Sequence, residues 1–340
     1  MADVFDRNQR CYPQLQTTFD VIPNTAGTAT VGNSDCCLIT DLKTEAHAAE
    51  IVRPDKTGSL DDIVGQAGRR LASVTASMSA AGNGAAGVAP DCKNFLQGIF
   101  GAAGVVVSST SVTWSLADVL YYLAIWNFTT SPANATSMCA FNSLMQKFEA
   151  TFGGDVPMLT FSGEASWPID NDQMADGTTP SQAKGGLTTF PAEPSAPVVN
   201  GTHPPGFKVT AVIDGNSYTN ILSGKVTLDV MRELLKTGNT EYPGAGAPGD
   251  RRVTLDWSMA DNDSANLRTL KQKAFTRTPV NAVFTVGTIA GNRWVHTVNN
   301  IIVPKPTYGT SGTRRTVNFG AARAYPSAIT AKDQYTLAIN

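Results

Sequence analysis

The sequence predicts a mainly β protein with short helices, written as two similar halves. Three observations carry that reading. The chain is rich in Gly, Ala, Ser, Thr and Asn; short alternating apolar and polar runs recur between turn residues; and blocks of the first half reappear, in order, in the second. Charged residues make up 16% of the 340 residues, below the ~25% usual for soluble domains. At 42% the hydrophobic residues suffice for a packed core, and the length allows about two domains.

The clearest linker is residues 176–206, "DGTTPSQAKGGLTTFPAEPSAPVVNGTHPPG", rich in Pro, Gly, Thr and Ser and without apolar period. It separates a first unit, 1–175, from a second, 207–340. "EIVRPDKTG" (50–58) lines up with "VMRELLKTG" (230–238), both ending Lys-Thr-Gly. "RRLASVTASMSA" (69–80) matches "RRVTLDWSMAD" (251–261), sharing a double arginine, a Val-Thr and a Ser-Met. The first copy then carries an extra Gly/Ala loop, "AGNGAAGVAP" (81–90). "GDVPMLTFSGEASWP" (154–168) and "GTRRTVNFGAARAYP" (312–326) close the series, with Gly154/Gly312, Phe161/Phe319 and Pro168/Pro326 in step. The offset between copies falls from about 180 to about 158, so the first copy is the longer, by loop insertions.

The elements follow from local pattern. "FKVTAVIDGNSYT" (207–219) alternates as a strand does and turns at Asp214-Gly215, a hairpin pair. "RRVTLDWSM" sets Val253, Leu255, Trp257 and Met259 on one face. "NAVFTVGTIAGNRWVHTVNNIIV" (281–303) reads as a hairpin around Gly291-Asn292. A short amphipathic helix is expected in each half, "DCKNFLQGIF" (91–100) and "SANLRTLKQKAF" (264–275). The second has Ser264 as N-cap and a buried stripe of Leu267, Leu270 and Phe275. A further helix is expected over "FNSLMQKFEATF" (141–152). Each unit is thus a small β-sandwich or barrel with a helix packed on it.

Chemistry is sparse. His47, His203 and His296 fall in no metal-ligand spacing, and no nucleophile elbow, phosphate loop or dinucleotide fingerprint is present. "ADNDSAN" (260–266) resembles the start of a calcium loop. It lacks the glycine and closing glutamate, and reads as a turn and helix cap. Asp61–Asp62 have no second acid brought near them by pattern. The pairs Arg69–Arg70, Arg251–Arg252 and Arg314–Arg315 read as surface or interface ion-pair formers. No catalytic, cofactor or metal site is expected. The five cysteines (Cys11, Cys36, Cys37, Cys92, Cys139), an odd number without an export segment, favour free thiols. The four sequons, at Asn127, Asn134, Asn200 and Asn262, then read as chance. No apolar run approaches a membrane span; the longest, 116–128, contains Asp118.

Charge is divided. Residues 205–340 hold 16 Lys+Arg and 9 Asp+Glu; residues 1–204 hold 10 and 19. Opposite signs favour contact between the halves, within or between chains.

The order of three blocks resembles the major tail tube proteins of siphophages, the long-tailed bacteriophages. The blocks are "GRRLASVTASMSAAGNGAAGVAPDCKNFLQGIFG" (68–101), the Phe161-Ser162-Gly163 strand ending near Trp167-Pro168, and "FKVTAVIDG" opening the second half. The resemblance covers most of the chain outside the linker and the extreme N-terminus. It implies two tandem tail-tube-type domains contributing strands to a ring-wide β-barrel, and a structural subunit rather than an enzyme. Stacked rings would form the conduit for genome ejection. The expected partner is the chain itself, in trimeric pseudo-sixfold rings, with a hexameric ring as the competing arrangement. A tape measure protein in the lumen, a tail terminator and distal tail proteins at the ends, and double-stranded DNA in transit complete the implied partners, with no membrane. The implied location is the virion tail, assembled in the host cytoplasm. "KVTLDVM" (225–231) and its partner near 43–52 are the expected inner hairpins. The loops 20–37, 58–68 and 238–250 would reach the adjacent ring. Another virion protein, decoration or terminator, or a β-sandwich surface or carbohydrate-binding module are the alternatives.

Overall fold

The computed structural model describes residues 9–25, 27–51, 66–107, 109–130, 135–170, 191–194, 203–235 and 243–340. The Lys-Thr-Gly repeats, Asp61–Asp62, Asn134, Asn200 and most of the 176–206 linker lie outside these residues.

The chain is mainly β. The first half runs β1 (Gln9–Gln16), β2 (Asn24–Thr25), β3 (Thr28–Ala29), β4 (Asp41–Ile51), β5 (Gln66–Ser79), α1 (Lys93–Phe100), β6 (Val105–Val107), β7 (Ser111–Ser115), β8 (Tyr122–Thr130), β9 (Ala135–Phe152), β10 (Met158–Ala165) and β11 (Pro168–Asp170). The second runs β12 (Val209–Ile213), β13 (Asn216–Tyr218), β14 (Ile221–Val230), β15 (Glu233–Leu235), β16 (Ala245–Ala247), β17 (Arg251–Ala260), α2 (Ala265–Thr276), β18 (Val280–Val286), β19 (Trp294–Ile302), β20 (Thr307–Ser311), β21 (Arg314–Ala324) and β22 (Tyr335–Ile339).

Strand order repeats between the halves. In the first, β1-β8-β9-β11 and β4-β5-β10-β9 are antiparallel runs. In the second, β12-β18-β19-β22 and β14-β17-β21-β20 are their counterparts. Registers repeat too. Met78 faces Leu159 and Ala76 faces Phe161, as Met259 faces Val317 and Trp257 faces Phe319. The long strand β9 serves both runs of its half. Its counterpart is divided into β19 and β20 by Pro304 and Pro306, which have no N–H to give a ladder.

One local device is also written twice. The β8–β9 ladder slips between Leu123 and Ile125, and the β18–β19 ladder slips between Val280 and Ala282. Opposite each slip stands an asparagine in the left-handed region, Asn142 at φ 52° and Asn300 at φ 50°. Asparagine tolerates that conformation, and the extra residue bends the strand.

The halves do not stand apart. β9 also pairs with β14, from Phe152 opposite Gly224 to Lys147 opposite Asp229. The result is one eight-stranded sheet, β4-β5-β10-β9-β14-β17-β21-β20. A second link joins β22 to β7, Leu337 facing Trp114. The core between the sheets is continuous across the halves. It includes Phe95, Phe148 and Phe161 from the first and Trp257, Phe284, Phe319 and Tyr335 from the second, all buried. A smaller cluster under β1, β8 and β9 gathers Tyr12, Ile22, Trp126, Phe128, Cys139 and Phe141.

Three expectations need correction. Residues 141–152 form strand, not helix. Leu144, Met145, Phe148 and Phe152 mimic a helical stripe because residues 141–145 are buried on both faces of β9, which erases the two-residue alternation. In α2 the buried stripe is Leu267, Leu270 and Ala274. Phe275, one residue past it, is 62% exposed and lies under the Lys305 ammonium, 5.0 Å from its ring centroid. The stretch 20–37 is not a free loop: Ile22, Ala29, Cys36 and Cys37 are buried, so apolar contact ties it to the fold.

The expected turns at Asp214-Gly215 and Gly291-Asn292 and the expected cap at Ser264 are present. Asp214 and Gly215 take φ 53° and 76° in the β12–β13 turn, and Gly291-Asn292 turn between β18 and β19. Leu267 N donates to Ser264 Oγ, which caps α2. Asp263 N and Ser264 N donate to Asp261 Oδ1 and Asn262 Oδ1, so "ADNDSAN" is a turn leading into that cap.

Candidate functional site

The eight-stranded sheet has two faces of different chemistry. Alternation sends Val74, Ala76, Phe161, Phe148, Val226, Leu228, Leu255, Trp257 and Phe319 into the core. The opposite face is hydroxyl-rich and crosses the halves in register. One row runs Asp41, Ser77, Thr160, Glu149, Thr227, Thr254; the next runs Lys43, Thr75, Ser162, Lys147, Asp229, Arg252. Hydroxyls bond across strands, Ser223 Oγ to Ser258 Oγ at 2.7 Å and Ser77 Oγ to Thr160 Oγ1 at 3.4 Å. Both expected inner hairpins lie in this sheet, as β14–β17 and β4–β5.

At the junction of the halves sits a charge triad. Lys225 Nζ from β14 and Lys147 Nζ from β9 lie 2.7 Å and 2.9 Å from Glu149 Oε1. Partial burial works against the Glu149 carboxylate, yet hydrogen bonds from Lys225 and Lys147 prevail and hold its pKa below the usual range. The Lys147 ammonium is correspondingly held above its usual value by its bond to Glu149. Lys147 and Lys225 thus share one carboxylate across the junction.

Other contacts clamp the halves behind the sheet. Arg251 Nη2 lies 2.6 Å from Asp118 Oδ1, and Lys332 Nζ bonds the other carboxylate oxygen. Lys332 first, then Arg251, holds the Asp118 carboxyl below its ordinary pKa. Arg232, only 3% exposed, gives Nη1 to the Gly98 carbonyl at the C-terminal end of α1, where the helix dipole favours a cation. Burial, and then Arg251, lowers its pKa to about 10.

The arginine pairs are placed individually. Arg70 stacks over Trp167, Arg251 meets Asp118, and Arg315 meets Asp261 at 3.3 Å. The histidines come together nowhere: His296 is a core residue, and His47 bonds Ser73 Oγ at 3.1 Å on the polar face. Among the described residues no group of three His, Cys, Asp or Glu is placed to hold a metal ion. Of the sequons, Asn127 is buried and Asn262 is exposed. Among the described residues no helix is long and apolar enough to cross a membrane. Sequence reasoning missed the Glu149 triad. Its residues are far apart in the chain, and only the β9–β14 pairing unites them.

Comparison with protein-family models finds none that matches this chain, and comparison with curated proteins finds no similar sequence.

Proposed function

We propose that this chain is a structural subunit of a hollow protein tube, the tail tube of a long-tailed bacteriophage, and not an enzyme. The observation that carries the reading is the β9–β14 junction. There a four-stranded unit of one half continues into a four-stranded unit of the other, as neighbours around a ring would. The sheet so made has two open ends, β4 and β20: among the described residues β4 pairs with β5 and β20 pairs with β21. Open sheet ends are a liability in a monomer and a joint in an assembly.

Three such chains supply six units, or about 24 strands. At about 4.8 Å spacing and about 40° tilt they enclose a barrel on the order of 45–50 Å across the backbone. Side chains reduce that by about 5 Å on each side, which leaves room for a double helix. The Ser/Thr face, with Lys147 and Lys225 tied to Glu149, is the proposed lumen. The fewer free cations a wall offers, the more readily DNA slides, because retention comes from Lys and Arg displacing counterions. Lys43 on this face lies 3.5 Å from Asp41, and the exposed Arg252 stands opposite Asp229. In a three-chain ring the acidic and basic halves alternate. A tape measure protein in the lumen, terminator and distal proteins at the ends, and a location in the virion tail belong to the same proposal.

Negative-stain microscopy of purified protein at rising concentration tests it. Hollow tubes or rings with an open centre are expected. Monodisperse monomers at every concentration would favour an ordinary β-sandwich binding module.

A further inference from the structure

Because the two halves repeat their strand order, and their register where Met78 and Ala76 face Leu159 and Phe161 as Met259 and Trp257 face Val317 and Phe319, the junction inside the chain is a template for the junction between chains. β9 corresponds to β20 through their shared pairing: Glu149 and Ala150 face Thr160 and Leu159, as Thr307 and Tyr308 face Asn318 and Val317. β4 corresponds to β14: Thr44 and Leu42 face Val74 and Ala76, as Val226 and Gly224 face Leu255 and Trp257. Within the chain, Glu149, Ala150 and Thr151 of β9 face Thr227, Val226 and Lys225 of β14.

We infer that β20 of one copy pairs antiparallel with β4 of the next, with Thr307 opposite Glu45, Tyr308 opposite Thr44 and Gly309 opposite Lys43. This rests on the tube-subunit reading and adds to it the contacting strands and their register. Among the described residues β4 ladders with β5 and β20 with β21, and one edge of each is unpaired. Thr307, Tyr308 and Thr310 are exposed on β20, and Lys43, Glu45 and His47 are exposed on β4. The run ends near Leu42, whose carbonyl already accepts from Gln9 Nε2 at 3.1 Å.

Charge supports the same register. Inside the chain Glu149 lies between Lys147 on its own strand and Lys225, diagonal to it on the neighbour. In the inferred joint Glu45 lies beside Lys43 on its own strand. Lys305 of the next copy stands two residues before β20 and, in its own chain, over Phe275. It reaches the same diagonal by continuing the line of β20 through Pro306 and leaving that ring. The carboxylate has moved to the other strand of the pair and the lysine pattern has moved with it. A one-residue slip would turn every side chain to the wrong face and lose this match.

Cysteine pairs test the register. Glu45→Cys/Thr307→Cys and Thr44→Cys/Tyr308→Cys place thiols at adjacent opposed positions, one of which has the narrower spacing of an antiparallel ladder. Ala46→Cys/Tyr308→Cys is the off-register control. On mild oxidation of assembled protein, a non-reducing gel should show multimers of the chain for an on-register pair and not for the control. Native mass spectrometry of the same variants reports assembly independently. Assembled rings that cross-link only in the control, or in none of the variants, would overturn the register and leave the tube reading standing. Chains that stay monomeric, unmutated protein included, would overturn both. A charge exchange gives a second readout. Glu45→Lys and Lys305→Glu should each raise the concentration needed for assembly, by about two- to fivefold per contact. The double variant should recover most of that loss, and equal effects without recovery would count against the Glu45–Lys305 pair.

Discussion

His296 is stacked between Phe152 and Tyr335, with ring centroids 5.6 Å and 6.2 Å away, and its Nδ1 lies 2.8 Å from Tyr335 Oη. Burial lowers its pKa to about 3. An unfolded chain takes up that proton near the ordinary value of ~6.5, so between the two values the unfolded state binds more protons. The stability contributed by the neutral ring is complete above about pH 6.5 and is lost as the pH falls toward 3, by up to ~1.4 kcal/mol per unit. Urea midpoints at pH 7 and pH 5 should therefore fall more for the unmodified protein than for His296→Phe. Equal falls would contradict the assignment. The cysteines tell the same story of burial. All five are free and buried. Burial first, and then Asp91, pushes Cys36 up to about 11, while burial raises Cys37 well above its ordinary value. A thiolate-seeking reagent should label none of them in native protein and all of them after denaturation; rapid native labelling of Cys36 would contradict this.

At the level of elements, close approach between loops of the two halves decides what can be changed. Gly82, in the Gly/Ala loop, meets the β18–β19 turn, and a Cβ there would lie 2.0 Å from the Gly291 carbonyl oxygen. Gly82→Ala should cost about 1–3 kcal/mol in chemical denaturation, through backbone displacement at that contact. Arg232→Ala leaves the Gly98 carbonyl without its donor and should cost about 1–3 kcal/mol as well; an unchanged midpoint in either variant would refute the contact's role. The inserted loop was legible in sequence as an excess over the second copy, but its contact with Gly291 was not. The same division holds elsewhere. The Ser-Met echo marked β5 and β17 as counterparts, with Met78 and Met259 at equivalent places, whereas the Arg-Arg and Val-Thr pairs fall one and two residues out of step. Residues 141–152 were misread because burial on both faces removes the signal of a strand. The β9–β14 pairing, and with it the Glu149 triad, had no local signature at all.

At the scale of the whole molecule, the proposed tube would present DNA with a polar face that does not grip it. Glu149→Gln releases Lys147 and Lys225 from their shared carboxylate. Assembled Glu149→Gln protein should retain duplex DNA at low salt, with the affinity falling steeply as salt rises, whereas the unmodified assembly should not. Equal retention by both would argue against this face as the lumen. The repeated strand order and the internal junction make one further demand. If one chain supplies two units of a sixfold wall, a single ring contains three chains. Native mass spectrometry of isolated rings measures that number directly: three copies of the chain are predicted, and six copies, or no closed species, would contradict the account.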